Sequence, residues 1–418
     1  MLAMAIGMAI GIVINLTLAD VGFVQRFLVD GLFHVVGAVF IAGLKMLVVP
    51  LVFVSLVNGV TALGDLAALG RMSLKAIGLY LLTTMLAISI ALSLAVTVSP
   101  GKGFSVGENA VEFSGRDAPP LSDVLINIVP SNPVAAMADG NMLQIIVFAL
   151  LFGIAITMSG ERGNHVLNVF KDLDAVIMKM VEIIMRLAPY GVLALIAKTF
   201  ATQGADLVIP LIGYFLTLTV ALAIHAFTVY PTLLVTLARL NPTVFLRKMR
   251  DPAAFAFSTA SSGATIPITM RTVENRMGVD NSVASFTVPL GATINMDGTA
   301  IMQGVATVFI ANVFEVDLAL TDYLMVVLTA TLASIGTAAV PGVGLVMLTM
   351  VLNQVGLPVE GIALIIGVDR LLDMMRTACN VTGDCAVTCI VATGEKALDK
   401  SVFDDSAAGQ TTAKEQPD

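Results

Sequence analysis

Five polar residues stand in the last hydrophobic stretch of the chain: Asp369, Asp373, Arg376, Asn380 and Asp384, at intervals of 4, 3, 4 and 4. A helix collects such a series into one stripe. The stretch itself, 361–393, is otherwise mostly apolar, with Arg370 as a further interruption. In a bilayer each charge would cost roughly 2.5–3.5 kcal/mol on insertion scales, so a stripe of both signs must face protein or water. It is either a pathway for ions and a polar substrate or a set of internal ion pairs that only hold helices together. Arg376 presents a planar fork of donors that suits a carboxylate. Asp373, one turn earlier, can accept an ammonium group. Together they describe a molecule with both charges, an acidic amino acid. The alternative is an Asp373–Arg376 pair at i, i+3 that satisfies itself.

A second carboxylate, Asp297, sits mid-segment in Gly291-Ala292-Thr293-Ile294-Asn295-Met296-Asp297-Gly298-Thr299 without a basic neighbour. Unwinding over 295–298, eased by Gly298, would free backbone carbonyls. Carbonyls with one carboxylate make a hard oxygen cage that suits Na⁺. Asp384, preceded by Gly383, offers a second cage of this kind. Two carboxylates in apolar surroundings could instead carry protons, which makes proton coupling the main rival.

The elements that position these groups must be membrane helices. The chain of 418 residues is 57% hydrophobic and 12% charged, where soluble domains carry about 25% charged residues; its mean hydropathy is +0.94. It reads as a polytopic membrane protein, with Phe and Tyr as its interfacial aromatics because Trp is absent. A net charge of −8 argues against a nucleic-acid partner. Cys379, Cys385 and Cys389 read as small buried residues, and His34, His165 and His225 lack metal-ligand spacing. No phosphate loop or nucleophile elbow occurs, so an enzyme reading has no motif.

Apolar runs predict spans at 2–18, 31–60, 74–99, 141–159, 165–201 and 207–238. The first reads as a span rather than a cleaved signal, because no basic region precedes it. Pro189-Tyr190-Gly191 predicts a kink or break. The acidic segment 100–125 reads as an external loop, while Arg239, Arg247, Lys248, Arg250, Arg271 and Arg276 mark cytoplasmic loops. The runs 252–270 and 323–352 are broken by small and hydroxyl residues, with tips at Ser262 to Pro267 and Ile335 to Pro341. Each predicts a re-entrant hairpin, whose backbone is tolerated only where protein or water satisfies it; the other reading is helix packing through small residues. Each hairpin is followed by a segment bearing Asn and Asp, which suggests an inverted repeat with its site near the midplane. The tail beyond Thr393 is polar and is expected to be disordered.

The strings SSGATIP, GATINMDGT, SIGTAAVPG and DRLLDMMRTACNVTGD, with Val129-Pro130-Ser131-Asn132-Pro133, resemble the dicarboxylate/amino acid:cation symporter family. That family includes archaeal aspartate transporters and excitatory amino acid transporters, and the resemblance covers nearly the whole chain. It implies an all-α membrane protein of the glutamate-transporter-homologue fold: eight transmembrane helices plus two re-entrant helical hairpins, assembled as a homotrimer. It also implies a scaffold at 1–70 and 100–205, an elevator-like mobile part at 71–99 and 206–394, and a polar cytoplasmic tail at 395–418. The protein would lie in the cell membrane with both termini cytoplasmic.

By position, the resemblance implies that Asp373 takes the substrate amino group and Arg376 its side-chain carboxylate. Thr377, Asn380, Ser262, Met296 and Thr299 are implied as further substrate contacts, and Thr337, Val340 and Gly344 belong to the second, gating tip. One implied sodium site joins carbonyls of Gly291, Asn295 and Asn380 to the Asp384 carboxylate. A second joins Asp297 and Asn295 to Tyr80, Thr83 and Thr84. A third takes carbonyls of Thr293, Ser334, Ile335 and Thr337. The ion is co-transported Na⁺, with no organic cofactor. Two departures stand out: Ala260 and Met374 replace the family's extra Arg, and Gln303 replaces a proton-carrying glutamate found in mammalian members. Asp373 favours an amino acid over a plain dicarboxylate. The reading is thus a sodium-coupled symporter of aspartate or glutamate, with a proton-coupled carrier and an anion channel of the same fold as alternatives.

Overall fold

The computed structural model describes residues 2–19, 21–62, 71–104, 129–335, 342–405 and 408–409. Every regular element among them is helical, and the β contribution is one isolated bridge, Val279 to Leu398. Helix α1 (Leu2–Thr17) is followed by a π-helical stretch, Val24–Phe33, that runs into α2 (His34–Ala62). Then come α3 (Arg71–Val98), α4 (Pro133–Asp139), α5 (Met142–Met158) and α6 (Glu161–Gln203). Helix α7 (Val208–Ile224) continues through π-helical turns at His225–Val229 and Leu234–Ala238. The second half holds α8 (Pro242–Lys248), α9 (Arg250–Thr259), α10 (Ser262–Asn275), α11 (Asn281–Ile294) and α12 (Asp297–Val313). It ends with α13 (Leu320–Ser334), α14 (Val343–Gln354), α15 (Ile362–Gly394) and α16 (Lys400–Asp404).

Three helices among the described residues are long and apolar enough to cross a membrane: Val24–Thr61, Leu74–Val98 and Val208–Ala238. A fourth is the pair Glu161–Ile184 and Arg186–Thr202, bent by 42°. The expected kink is thus present one turn before Pro189-Tyr190-Gly191, and α6 continues through those residues without a break. Proline acts on the carbonyl four residues earlier, which it neither bonds nor clears, so the effect of Pro189 falls at residue 185.

Helices α1, α2, α5 and α6 pack on one another, and α3 packs on α12. Helix α15 is the hub of the remainder, in contact with α7, α9, α11 and α12 and buried over most of its length. At its C-terminal end Glu395 bonds Lys75 at 2.5 Å and Arg71 at 3.3 Å, tying α15 to α3. At the place of the first expected hairpin, α9 turns into α10 and packs against it. The turn is Ala260, with φ +51°, and Ser261, whose hydroxyl caps the Ala264 amide at 3.2 Å. The expected tip, 262–267, is therefore already helical, because the Ser261 cap lets the helix start at Ser262. Helices α13 and α14 also pack together, but residues 336–341, with the expected tip residues Thr337 and Val340, lie outside the described residues. So do 105–125 of the expected external loop; beyond it, Asn132 caps α4 by accepting from Val134 and Ala135 at 3.0 and 3.1 Å.

The tail is ordered further than its polarity predicted. Asp280 and Asp399 amides bond Ala397 and Gly278 carbonyls, both at 2.8 Å, and Phe403 is fully buried. Lys248, also buried, donates to the carbonyls of Arg276, Val402 and Phe403 at 2.5, 2.8 and 2.7 Å. An ammonium with three carbonyl partners and one buried ring suffices to dock residues 395–405 against the start of the first hairpin.

Candidate functional site

Arg376 is 1% exposed and forked between two carboxylates of its own helix. Its Nη1 donates to Asp369 Oδ1 at 2.9 Å and its Nη2 to Asp373 Oδ1 at 2.8 Å. The i, i+3 pair is thus formed, and Asp369, on the same helical stripe two turns earlier, is a second partner. Asp373 Oδ2 accepts the Gly342 amide at the start of α14, at 3.3 Å. Arg370, half-exposed, stands 3.9 Å from the same oxygen. The Arg376 Nε has no partner among the described residues. Gly344 closes the cluster from α14: a Cβ there would lie 3.3 Å from Arg376 Nη2 and 3.2 Å from Met302 Cε.

Helices α11 and α12 meet at a two-residue break, Asn295 and Met296, with ψ of 90° and 44°. The break is shorter than expected, since Asp297 and Gly298 begin α12. Gly298 serves a close approach instead: its Cβ would stand 2.5 Å from the Arg376 carbonyl and 2.8 Å from the Arg376 Cα. The Gly298 amide donates to Asn380 Oδ1 at 2.7 Å, and Asn380 Nδ2 lies 3.4 Å from Met296 Sδ. Thr377 bonds the Asp373 carbonyl at 2.8 Å within α15. Ser262 and Thr299 are buried, and no hydrogen bond among the described residues joins their side chains to this cluster.

Beside the break, the Asn295 amide nitrogen donates to the Asn380 carbonyl at 3.0 Å and to Asp384 Oδ1 at 2.9 Å. The Asn295 Oδ1 is buried without a partner among the described residues. The Gly291 carbonyl accepts the Asn295 amide at 2.8 Å, and a Cβ on Gly291 would fall 2.6 Å from Asp384 Oδ1. Gly291, Asn295, Asn380 and Asp384 are therefore neighbours. The expected loosening of α15 at Gly383 is absent, because α15 is helical throughout. Gly383 makes room instead for the Tyr230 hydroxyl and the Asn295 amide, both of which a Cβ would strike.

Asp297 is fully buried and accepts three bonds. Thr84 Oγ1 stands 2.6 Å from Oδ1, while His225 Nε2 and the Tyr230 hydroxyl reach Oδ2 at 2.9 and 2.7 Å. Thr83 and Thr84 hydroxyls both lie near the Tyr80 carbonyl, at 3.0 and 2.9 Å, whereas the Tyr80 hydroxyl bonds the Thr287 carbonyl at 2.9 Å. His225 and Tyr230 were missed in the sequence, where an isolated His has no spacing to read. The available signal was its place in an apolar run, since a polar ionisable side chain at membrane depth needs a partner.

The third expected set consists of backbone carbonyls, and its residues are only partly described. Thr293 is exposed and bonds the Leu290 carbonyl at 2.9 Å, and Ser334 bonds the Thr331 carbonyl at 2.7 Å. Ile335 is buried, and Thr337 lies outside the described residues.

The chain is 35% identical to the proton/glutamate-aspartate symporter of Escherichia coli, over 90% of this chain and 88% of that one. It is 36% identical to human excitatory amino acid transporter 3, over 85% and 78%. It is 33% identical to the proton/sodium-glutamate symport protein of Geobacillus stearothermophilus, over 86% and 87%. The profile of the sodium:dicarboxylate symporter family matches residues 1–393. A helical chain with buried opposite charges at its centre, matched over nearly its whole length, is thus a membrane transporter rather than an enzyme, and belongs to the sodium:dicarboxylate symporter family.

Proposed function

We propose that this chain is a sodium-coupled symporter of acidic amino acids, aspartate or glutamate, working by elevator-type alternating access. The observation that carries the substrate class is Arg376, buried and forked between Asp369 and Asp373. A substrate carboxylate replaces an internal carboxylate on the guanidinium, and the freed Asp373 takes the substrate ammonium. The exchange gives the side-chain carboxylate and the ammonium each an opposite charge and leaves the main-chain carboxylate to an uncharged donor such as Asn380; a substrate without a side-chain carboxylate gives the Arg376 fork nothing in exchange for its internal partner.

Sodium is favoured by the two oxygen-lined carboxylates. At Asp384 one donor already satisfies two oxygens, a geometry that a small cation also satisfies, and at Asp297 a hydroxyl faces the second oxygen. Binding of ion and substrate favours closure of the second hairpin, and the coupling is a differential affinity between open and closed states. Each net positive charge carried inward gains about 2.3 kcal/mol per 100 mV. Eight spans and two re-entrant hairpins in a cell-membrane homotrimer, with both termini cytoplasmic, complete the reading. Residues 1–70 and 100–205 form its scaffold, and 71–99 and 206–394 its moving part.

Proton coupling is the second reading, supported by the names of the Escherichia coli and Geobacillus relatives. Uptake of labelled aspartate into proteoliposomes, with sodium and proton gradients imposed separately, distinguishes them. Uptake should follow sodium and survive collapse of the pH gradient. Uptake driven by protons in sodium-free buffer would defeat the sodium assignment.

A further inference from the structure

We infer that His225 and Tyr230 are positioning residues for a cation at Asp297: they hold one oxygen of its carboxylate so that the other faces Thr84 and the transported ion. The inference rests on the sodium-symport reading above and adds to it two residues outside the expected ligand set.

The geometry is specific. Both donors converge on Oδ2, His225 Nε2 at 2.9 Å and the Tyr230 hydroxyl at 2.7 Å, while among the described residues Thr84 alone reaches Oδ1, at 2.6 Å. His225 and Tyr230 are each fully buried, and their rings meet edge-on at 4.6 Å and 74°. The His225 Nδ1 is buried without a partner among the described residues. Nε2 is therefore the nitrogen that carries the hydrogen and donates it. The phenol has one proton, and the Cys379 carbonyl, at 3.4 Å, is a poor rival for it. Thr84 also has one, and its other neighbour is the Tyr80 carbonyl at 2.9 Å. A cation on Oδ1 can therefore displace that hydroxyl bond and leave Thr84 a partner.

The local fold is shaped for this contact. His225–Val229 is π-helical, the first of two such stretches in the helix that runs from Val208 to Ala238. Such widened turns cost hydrogen-bond geometry and concentrate at functional positions, where they re-aim a side chain. Here the turn begins at His225 itself. Gly383 on α15 leaves the room that the Tyr230 hydroxyl occupies, as described above. A carboxylate anchored through one oxygen cannot swing to offer both, so the ion meets a single fixed oxygen. Such outer partners fix the orientation of a ligand and add to its affinity for metal.

The test is sodium-dependent thermal stabilisation of the purified full-length protein without substrate, since an ion that binds only the folded state raises its melting temperature. His225→Leu removes the donor and keeps bulk, His225→Gln restores an N–H near the position of Nε2, and Tyr230→Phe removes only the hydroxyl. The sodium midpoint should rise about 10- to 100-fold in His225→Leu, rise similarly in Tyr230→Phe, and return most of the way in His225→Gln. Aspartate affinity at saturating sodium should stay near wild type, because Arg376 is untouched. Equal shifts in the Leu and Gln variants would overturn the donor role. A lower sodium-free melting temperature with unmoved midpoints would show that the pair only fills space. If His225→Leu does not fold, Tyr230→Phe and His225→Gln decide the question. A wild-type protein that sodium does not stabilise would defeat the symport reading and this inference together; a responsive wild type with unshifted variants would defeat the inference alone.

Discussion

Gly291 offers the most direct physical perturbation of the Asp384 region. A Cβ at this position would stand 2.6 Å from Asp384 Oδ1, 2.7 Å from the Tyr80 hydroxyl and 2.9 Å from Asp384 Cγ. Ordinary contact begins at 3.4 Å, so Gly291→Ala demands about 0.8 Å of displacement from the carboxylate oxygen. Metal–ligand distances tolerate only about 0.2 Å. The Asp384 carboxylate cannot retreat freely, because its Oδ1 is held by Asn295 at 2.9 Å. The methyl group should therefore remove Asp384 from the ion's reach and weaken sodium binding by at least the 10- to 100-fold typical of supporting residues. Gly304→Ala is the control, since its Cβ would meet Ala91 Cβ at 3.3 Å and the flexible Ile88 and Leu92 at 3.4 Å. The assay is the sodium dependence of aspartate binding, with thermal stability measured alongside. Gly304→Ala should keep the wild-type sodium midpoint and Gly291→Ala should not. A wild-type midpoint in Gly291→Ala would refute the placement of a sodium site between Gly291 and Asp384.

The remaining expectations concern charge. Arg376→Cys should weaken aspartate binding by the roughly 30- to 4,000-fold that follows from truncating a buried pair at about 2–5 kcal/mol. It also strands two carboxylates, so Asp369→Asn should be added to restore the balance before sodium-dependent serine or alanine binding is measured. Aspartate binding at wild-type affinity in the double variant would exclude Arg376 from reading the side-chain carboxylate. Lys45, mid-way along α2, bonds Glu360, just ahead of α15, at 2.9 Å. This partly exposed pair bridges the proposed scaffold and moving part, and is worth about 0–1 kcal/mol. Glu360→Gln should shift the population of the two proposed positions by about fivefold at most, read from fluorescent labels on the two parts; no shift would show that the pair has no bias between them. Lys248→Met should expose residues 395–405 to proteolysis and lower the melting temperature, with the sodium midpoint unchanged. Unchanged proteolysis would deny that Lys248 docks the tail.

The sequence by itself determined the class of the molecule, because mean hydropathy and span length are sums over residues and need no partner. It also determined the polar stripe of α15, since helical periodicity alone aligns Asp373, Arg376, Asn380 and Asp384. The positions of the breaks were legible to within a few residues: Asn295 and Met296 do interrupt the helix where unwinding over 295–298 was expected, and α9 and α10 turn close to the Ser-Ser-Gly string. Glycine roles were not legible. Gly298 and Gly383 read as sites of easy unwinding, yet both lie in helices and are set by what approaches them, the Arg376 backbone in one case and Tyr230 with Asn295 in the other. A sequence states the absence of a side chain but not which neighbour needs the space. Partnership across the fold was also hidden. His225 and Asp297 are 72 residues apart, and Lys248 and Phe403 are 155 apart. Nothing local in an apolar run or a polar tail reports such pairs. Buried charge is neutralised by whatever the packing brings to it: the packing of α7 against α12 decided this for Asp297, and that of α8 against α16 for Lys248.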